Sequence, residues 1–584
     1  MPERPQTVRL GVFSALLVCL AVSPPSAAQR APVEARHGMV ASAHRLASDA
    51  GLEVMRAGGN AIDAAVATGF ALAVTYPRAG NLGGGGFMIV RTAAGHEVAL
   101  DFREVAPGGA SQSMYQDAEG NVVSGRSTKG YLANGVPGTV AGMAHAWEHY
   151  GSGEVTWHDV LEPARRLAAD GFVISAALAQ DLVASKALLG SFPESNRLFL
   201  RNGEFYQAGE ILRQPDLAAT LRRLQEHGGR EFYHGHTADL IAADQAEHGG
   251  LINHDDLAGY QVVEREVIRG TYRGYEFLTM PPPSSGGIAL KQMLGMLEPH
   301  DIKAAGLHST RHIHLVTETM RRAFRDRAEY LGDPDYHDVP QTGLTTPDYI
   351  AGLMDNFDPN RATPSDSLAP GSPVGYTESH DTTHFSTVDA AGNIASCTYT
   401  INGLYGNGAT VAGAGFLLNN EMDDFTAKVG VENAYGLLQG EANAIEPGKR
   451  PLSSMTPIIV LKNGQPFLIT GSPGGPTIIT TVLQVMMNVI DFGLPLTLAV
   501  DAPRFHHQWQ PDRISHEPFL ASPDTLDALE TKGHILTLRH LYYNDSEAAA
   551  RYWGDAESIM VDPESGLILG VSDRRSPNAA PAGF

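Results

Sequence analysis

Between Thr383 and Ile401 the side chains alternate with a period of two. Phe385 and Thr387 precede an Ala391-Gly392-Asn393 turn, and Ile394, Ser396, Thr398 and Thr400 follow it. Alternation on both sides of a Gly-Asn turn predicts a β-hairpin. A loop-like stretch rich in Pro, Gly and Ser, 364–379, leads into it through Asp381-Thr382-Thr383-His384-Phe385-Ser386. A threonine at the junction of an exposed loop and a buried strand is placed to become a chain terminus. If the peptide bond before Thr382 is cut, that residue carries both a hydroxyl and a free α-amine. Such an amine, with a pKa of roughly 7.7–8.0 in model peptides, can serve as base for its own hydroxyl. Taken alone, a Thr-Thr pair opening a strand is most often just a pair of β-formers. The rest of the chain has to decide.

The 584 residues, 43% of them hydrophobic, can bury one very large core or two to four ordinary ones. A charged content of only 18%, with 63 Gly and 36 Pro, suits a compact, turn-rich enzyme rather than a disordered or coiled-coil protein. The net charge of −23 and the absence of any Lys/Arg run argue against a nucleic-acid partner. Arg4 and Arg9 precede an apolar run, Leu10 to Val22, and small residues up to Ala28. That pattern predicts a secretory leader, 1–28, cut after Ala28 and too short to span a bilayer. No later stretch reaches the apolar length of a membrane helix. Beyond the leader Cys397 is the one remaining cysteine, so no intramolecular disulfide is expected, and it reads as a small core residue.

Helical patterns run from His44 to Val74, broken at Gly58-Gly59-Asn60, then from Trp157 to Ala243 and from Arg311 to Tyr330. Short strands are expected over Phe87–Val90 and Glu97–Phe102. After Thr382 strand patterns are denser: Pro457–Leu461, Phe467–Thr470 and Ser558–Val561, with a helix over Thr480–Asp491. No linker separates the halves, which predicts one interlocked domain.

Four polar sets in the second half could carry chemistry. Thr400 and Asn402 return on the second strand of the hairpin. Glu421, Asp423 and Asp424 follow the apolar Phe416-Leu417-Leu418 and could hold an ammonium or a metal, or face water. Ser453 and Ser454 sit in a loop before a strand, where donors could face a carboxylate. Gly474 and Gly475 occupy a strand-to-helix turn whose free N–H groups would suit an oxyanion. Other motifs read as decoys. His312 and His314 have no carboxylate or Cys at ligand spacing, His506-His507 is no better, and Gly83 to Gly86 lacks the Lys-Ser/Thr of a phosphate loop.

These segments resemble the γ-glutamyltranspeptidases. Asp381-Thr382-Thr383-His384-Phe385-Ser386, Leu418-Asn419-Asn420-Glu421-Met422-Asp423-Asp424-Phe425, Lys449-Arg450-Pro451-Leu452-Ser453-Ser454-Met455 and Thr470-Gly471-Ser472-Pro473-Gly474-Gly475 carry the likeness. Asn81 to Phe87, Asp101-Phe102-Arg103-Glu104 and Pro282 to Gly287 extend it over residues 36–580. The resemblance implies an N-terminal-nucleophile hydrolase of α+β class, a four-layer αββα sandwich of two mainly antiparallel sheets. It implies a precursor cut between Asp381 and Thr382 into a large subunit, 29–381, and a small one, 382–584. Thr382 would be the nucleophile, oriented by Thr400, with Gly474 and Gly475 as oxyanion donors. Arg103, Ser453 and Ser454 would take the α-carboxylate of a γ-glutamyl donor such as glutathione, and Asn402, Glu421 and Asp424 its ammonium. Bacterial relatives commonly carry Gln where this chain has Glu421. The segment 432–444, with Tyr435, resembles a pocket lid. Acyl transfer would go to water, an amino acid or a peptide, without metal or cofactor, in the periplasm. A glutaryl or cephalosporin acylase and a catalytically silent secreted binding protein are the alternatives.

Overall fold

Two seven-stranded antiparallel sheets organise the chain. The computed structural model describes residues 30–368, 382–428, 431, 440–539 and 553–584. The expected leader, Asp381 and Tyr435 lie outside them. Edge to edge, the first sheet runs Ala582–Gly583, Gly38–Ser42, Thr383–Asp389, Ile394–Thr400, Gly85–Arg91, Glu97–Phe102 and Val263–Arg265. The second runs Val33–Ala35, Ile568–Val571, Ser558–Val561, Gln465–Thr470, Ile458–Lys462, Tyr275–Thr279 and Ile268–Tyr272. Both sheets therefore pair strands from before Thr382 with strands from after it, and Pro32–Phe584 forms one compact unit.

Three apolar layers hold this together. Between the sheets, Met39, Phe87 and Ile89 of one pack with Leu278, Ile459, Ile469 and Ile559 of the other. Outside the first sheet, helix Ala61–Thr75 covers Phe385, Cys397 and Tyr399. Outside the second, helices Gly286–Leu297, Thr310–Tyr330 and Thr477–Ile490 cover Ile458, Val460 and Leu468. The order is helix, sheet, sheet, helix: an α+β four-layer sandwich.

The interrupted helical pattern becomes two helices, Arg45–Arg56 and Ala61–Thr75. The second starts on a capping box in which Asn60 and Asp63 satisfy each other's backbone N–H groups. All fifteen of its residues are buried, which its Ala-rich sequence permits because small side chains let backbones approach.

Candidate active site

The hairpin forms as its alternation requires, with Thr383 opposite Tyr399 and Val388 opposite Ile394. Odd positions Phe385, Thr387, Cys397 and Tyr399 turn to the helical layer. Even positions turn to the second sheet: Ser386 Oγ donates to the Glu557 carbonyl, and Val388 and Ile394 join the inter-sheet core. Thr382 and Thr400 share that parity, so the period of two places both hydroxyls on the inter-sheet face. Both line a recess of about 310 Å³ together with Arg103, Arg327, Asn402, Glu421, Asp424, Ser453, Ser454, Met455, Gly475, Pro476 and Ile478. Beneath Thr382, the His384 ring bridges Thr398 Oγ1 at 2.8 Å and Ser386 Oγ at 3.0 Å. Burial lowers its pKa to about 3, so it stays neutral. It packs directly on Gly471, where any Cβ would lie 2.4 Å from the ring.

The charged end of the recess is built around Arg103, at the end of strand Glu97–Phe102. Its guanidinium grips the Glu421 and Asp424 carboxylates, and its Nε donates to the Pro451 carbonyl at 3.2 Å. Burial opposes its charge, but Glu421, Asp424 and Glu104 outweigh that and hold its pKa above the usual value. The Glu421–Asp424 turn is itself pinned by asparagines. Asn419 accepts from the Gly135 and Glu421 N–H groups and donates to the Gly83 and Gly135 carbonyls, all within 3.0 Å. Asn402, with φ 69°, donates through its side chain to the Asn420 carbonyl at 2.8 Å, and its N–H donates to Thr400 Oγ1 at 2.8 Å. Asp423 turns away, accepting from Ser127 Oγ at 2.6 Å.

On the opposite wall the Ser453–Ser454 loop is held by Ser285, whose N–H and hydroxyl both donate to the Ser453 carbonyl at 2.7 Å. The preceding Lys449 and Arg450 are anchors rather than site residues, pairing with Glu446 at 3.0 Å and Asp101 at 3.3 Å. At the start of helix Thr477–Ile490, Gly475 lines the recess and Gly474 sits one residue behind the lining. Gly474 has φ 125°, and a Cβ there would meet Thr477 Oγ1 at 2.4 Å, so only glycine shapes this turn.

Sequence reasoning missed two charged residues. Arg327, on helix Thr310–Tyr330, lines the recess. Glu104 lies fully buried behind Arg103, its Oε2 3.8 Å from Arg103 Nη1, and neither carboxylate oxygen accepts a well-formed hydrogen bond. Burial pushes its pKa up to about 7 against the pull of Arg103, and Glu421 is raised for the same first reason. The two carboxyls lie close enough to share a proton.

The histidine reading needs a correction. Glu318 does follow His314 by one helical turn, and His534 Nε2 reaches His314 Nδ1 at 2.7 Å. Yet Glu318 already accepts from the Thr363 N–H at 3.1 Å and Arg322 at 2.6 Å, with Arg321 at 3.4 Å. A carboxylate flanked by two guanidinium groups has little charge left for a cation, so the cluster reads as an ion-pair network. His506 and His507 are likewise absorbed, by Thr480 and Asp512.

Residues 47–583 match the family described as Gamma-glutamyltranspeptidase. Over 554 residues the chain is 47% identical to a glutathione hydrolase proenzyme of Escherichia coli (strain K12), spanning 95% of this chain and 93% of that one. A cephalosporin acylase from Bacillus halodurans superposes with a TM-score of 0.83 at 28% identity, covering 96% of this chain and 98% of that one. Helicobacter pylori γ-glutamyltranspeptidase gives a TM-score of 0.55 at 44% identity, covering 56% of this chain and 94% of that one. With the family match spanning nearly its whole length, the chain belongs to the γ-glutamyltranspeptidase family.

Proposed function

We propose that this chain is a γ-glutamyltranspeptidase and glutathione hydrolase whose nucleophile is Thr382. The observation that carries the reading is one recess in which a strand-opening threonine faces both carboxylates and guanidinium groups. A γ-glutamyl donor has an ammonium and a carboxylate on one carbon, remote from its scissile amide. Glu421, Asp424 and Asn402 suit the ammonium, while Arg103, Ser453 and Ser454 suit the carboxylate. A glutaryl side chain of the acylase kind offers no such ammonium, and the acylase likeness runs at lower identity.

In maturation the Thr382 hydroxyl attacks the Asp381 carbonyl. The acyl group shifts from nitrogen to oxygen, and water hydrolyses the ester, freeing the Thr382 amine and leaving chains 29–381 and 382–584. In turnover that amine takes the hydroxyl proton as Oγ attacks the γ-carbonyl of the donor. The Gly474 and Gly475 N–H groups stabilise the tetrahedral oxyanion, a donor of the kind whose loss costs about 10²–10³-fold in rate. The intermediate collapses, the departing amine takes the proton, and a γ-glutamyl ester of Thr382 remains. Water or an amino-acid amine then attacks the ester and restores Thr382. Thr400 orients the nucleophile. No helix among the described residues is long and apolar enough to cross a membrane. The leader pattern supports export to the periplasm.

The test is a denaturing gel of the purified protein with N-terminal sequencing of the smaller band. A fragment beginning Thr382-Thr383-His384, absent in Thr382→Ala, together with release of glutamate from glutathione, is the expected result. A single uncut chain without activity would favour the silent binding protein instead.

A further inference from the structure

Arg327 is the charged side chain of the recess to which the reading above gives no task. Its Nε donates to Ser285 Oγ at 2.9 Å, and one terminal nitrogen donates to Ser454 Oγ at 3.3 Å. The other, Nη1, is buried and has no hydrogen-bond partner. Its position contrasts with that of Arg103, whose terminal nitrogens are both taken by carboxylates. Arg327 makes no ion pair among the described residues. Burial lowers its pKa to about 10, with only a partial offset from Asp424. Burying an unpaired charge is unfavourable, so an open guanidinium beside a substrate recess calls for an anion.

We propose that Arg327 is a specificity-determining residue: its Nη1 ion-pairs with the α-carboxylate of the donor, completing a clamp with Ser454 and Arg103. This rests on the γ-glutamyl reading. The charge balance supports it. Arg103 is already shared between Glu421 and Asp424, so a donor carboxylate meeting Arg103 alone would have to compete with both. Arg327 offers an uncommitted donor beside the hydroxyl expected to bind that same carboxylate. Its own hold on Ser285 and Ser454 fixes the guanidinium in place before the donor arrives, so little side-chain entropy is lost on binding.

The test compares two chromogenic amides, γ-glutamyl-p-nitroanilide and 4-aminobutanoyl-p-nitroanilide, which differ only in the α-carboxylate. Rates are taken per matured active site, in the wild type, Arg327→Met and Arg327→Lys. Loss of a charged hydrogen bond predicts that Arg327→Met raises KM for the γ-glutamyl amide by about 10- to 100-fold. Its kcat/KM for the 4-aminobutanoyl amide should stay within about twofold, and Arg327→Lys should fall between the two. Equal losses on both amides, or an unchanged KM for the γ-glutamyl amide, would overturn the assignment and leave Arg327 as a structural brace. If Arg327→Met fails to mature, the same comparison on Arg327→Lys decides. A wild type that does not prefer the γ-glutamyl amide at all would instead sink the γ-glutamyl reading.

Discussion

Two buried charge clusters in this molecule are built to opposite rules. Around Asp573, Arg504 donates to Oδ2 at 2.5 Å and Arg575 to Oδ1 at 2.9 Å. Arg575 also grips both oxygens of Glu517 within 2.6 Å, and the Ala556 N–H completes Asp573 at 3.1 Å. Each of these carboxylate oxygens meets a donor, as a cluster built for packing requires. At the recess, by contrast, one oxygen of Glu421 and Nη1 of Arg327 have no hydrogen-bond partner, and behind them Glu104 meets Arg103 only at 3.8 Å. Unmet hydrogen-bonding capacity of this kind is expensive to bury unless a ligand completes it. The same residue types are thus fully paired at Asp573 and Glu517 and left with open valence at the recess wall, in Glu421 and Arg327.

The comparison breaks most visibly at the nucleophile. Thr382→Ala removes no charge and leaves the packing intact, so the protein should fold and bind donor. It should lose turnover on the order of 10⁶-fold and stay a single chain. Activity measured alongside donor binding by calorimetry checks both halves. Residual cleavage after Asp381 in this variant would show that another group performs maturation.

Disturbing the paired cluster should have the reverse effect. Asp573→Asn leaves Arg504 and Arg575 buried with one charge too few, a loss of about 3–5 kcal/mol for breaking a buried ion pair. Denaturant unfolding reads the loss. kcat per titrated active site should stay within about twofold, and a specific kinetic defect would erase the distinction between the clusters.

A smaller effect is expected at the ammonium wall. Glu421→Gln keeps the shape and replaces a charged acceptor by a neutral one, so KM for a γ-glutamyl donor should rise about tenfold with kcat little changed. An unchanged KM would mean that Glu421 serves Arg103 and not the ammonium.

How much of this was legible beforehand depends on how local the signal is. The Thr383–Thr400 hairpin follows from side-chain parity alone, and parity also carries Thr382 and Thr400 to the same face. Glu421 and Ser453 stood out as polar sets, but Arg103 was found only through motif resemblance, since the three meet only when strands from opposite ends of the chain pair. Arg327 escaped because helix Thr310–Tyr330 also holds Arg321, Arg322 and Arg325, and sequence does not say which arginine the helix turns toward the recess. The His314–His534 contact joins residues 220 positions apart, beyond any ligand-spacing rule. Glu104 was quoted within a motif, but its place behind Arg103 appears only once Arg103 is seen to bond Glu421 and Asp424 more closely.

The subtlest difference between the clusters is the sign of their pH dependence. Glu104 is raised from an ordinary carboxylate value to about 7, by burial first, with Arg103 opposing and Asp424 adding to the rise. The native state therefore holds a proton that the unfolded chain has already released. By linkage this contribution is fully present below about pH 4.5 and is lost as pH rises to about 7. Asp573 runs the other way: burial alone would raise it, but Arg504 and Arg575 outweigh burial and hold it below the usual range. Its contribution is present above about pH 4 and is lost on acidification through its depressed native value. The stability of the wild type minus that of Glu104→Gln should therefore decline between about pH 4.5 and 7. For Asp573→Asn the same difference should be flat there and shrink only in stronger acid. Denaturant midpoints across pH 3 to 8 for the three proteins decide. Parallel curves for wild type and Glu104→Gln would mean that Glu104 is ionised in the folded recess, and that some donor already satisfies it.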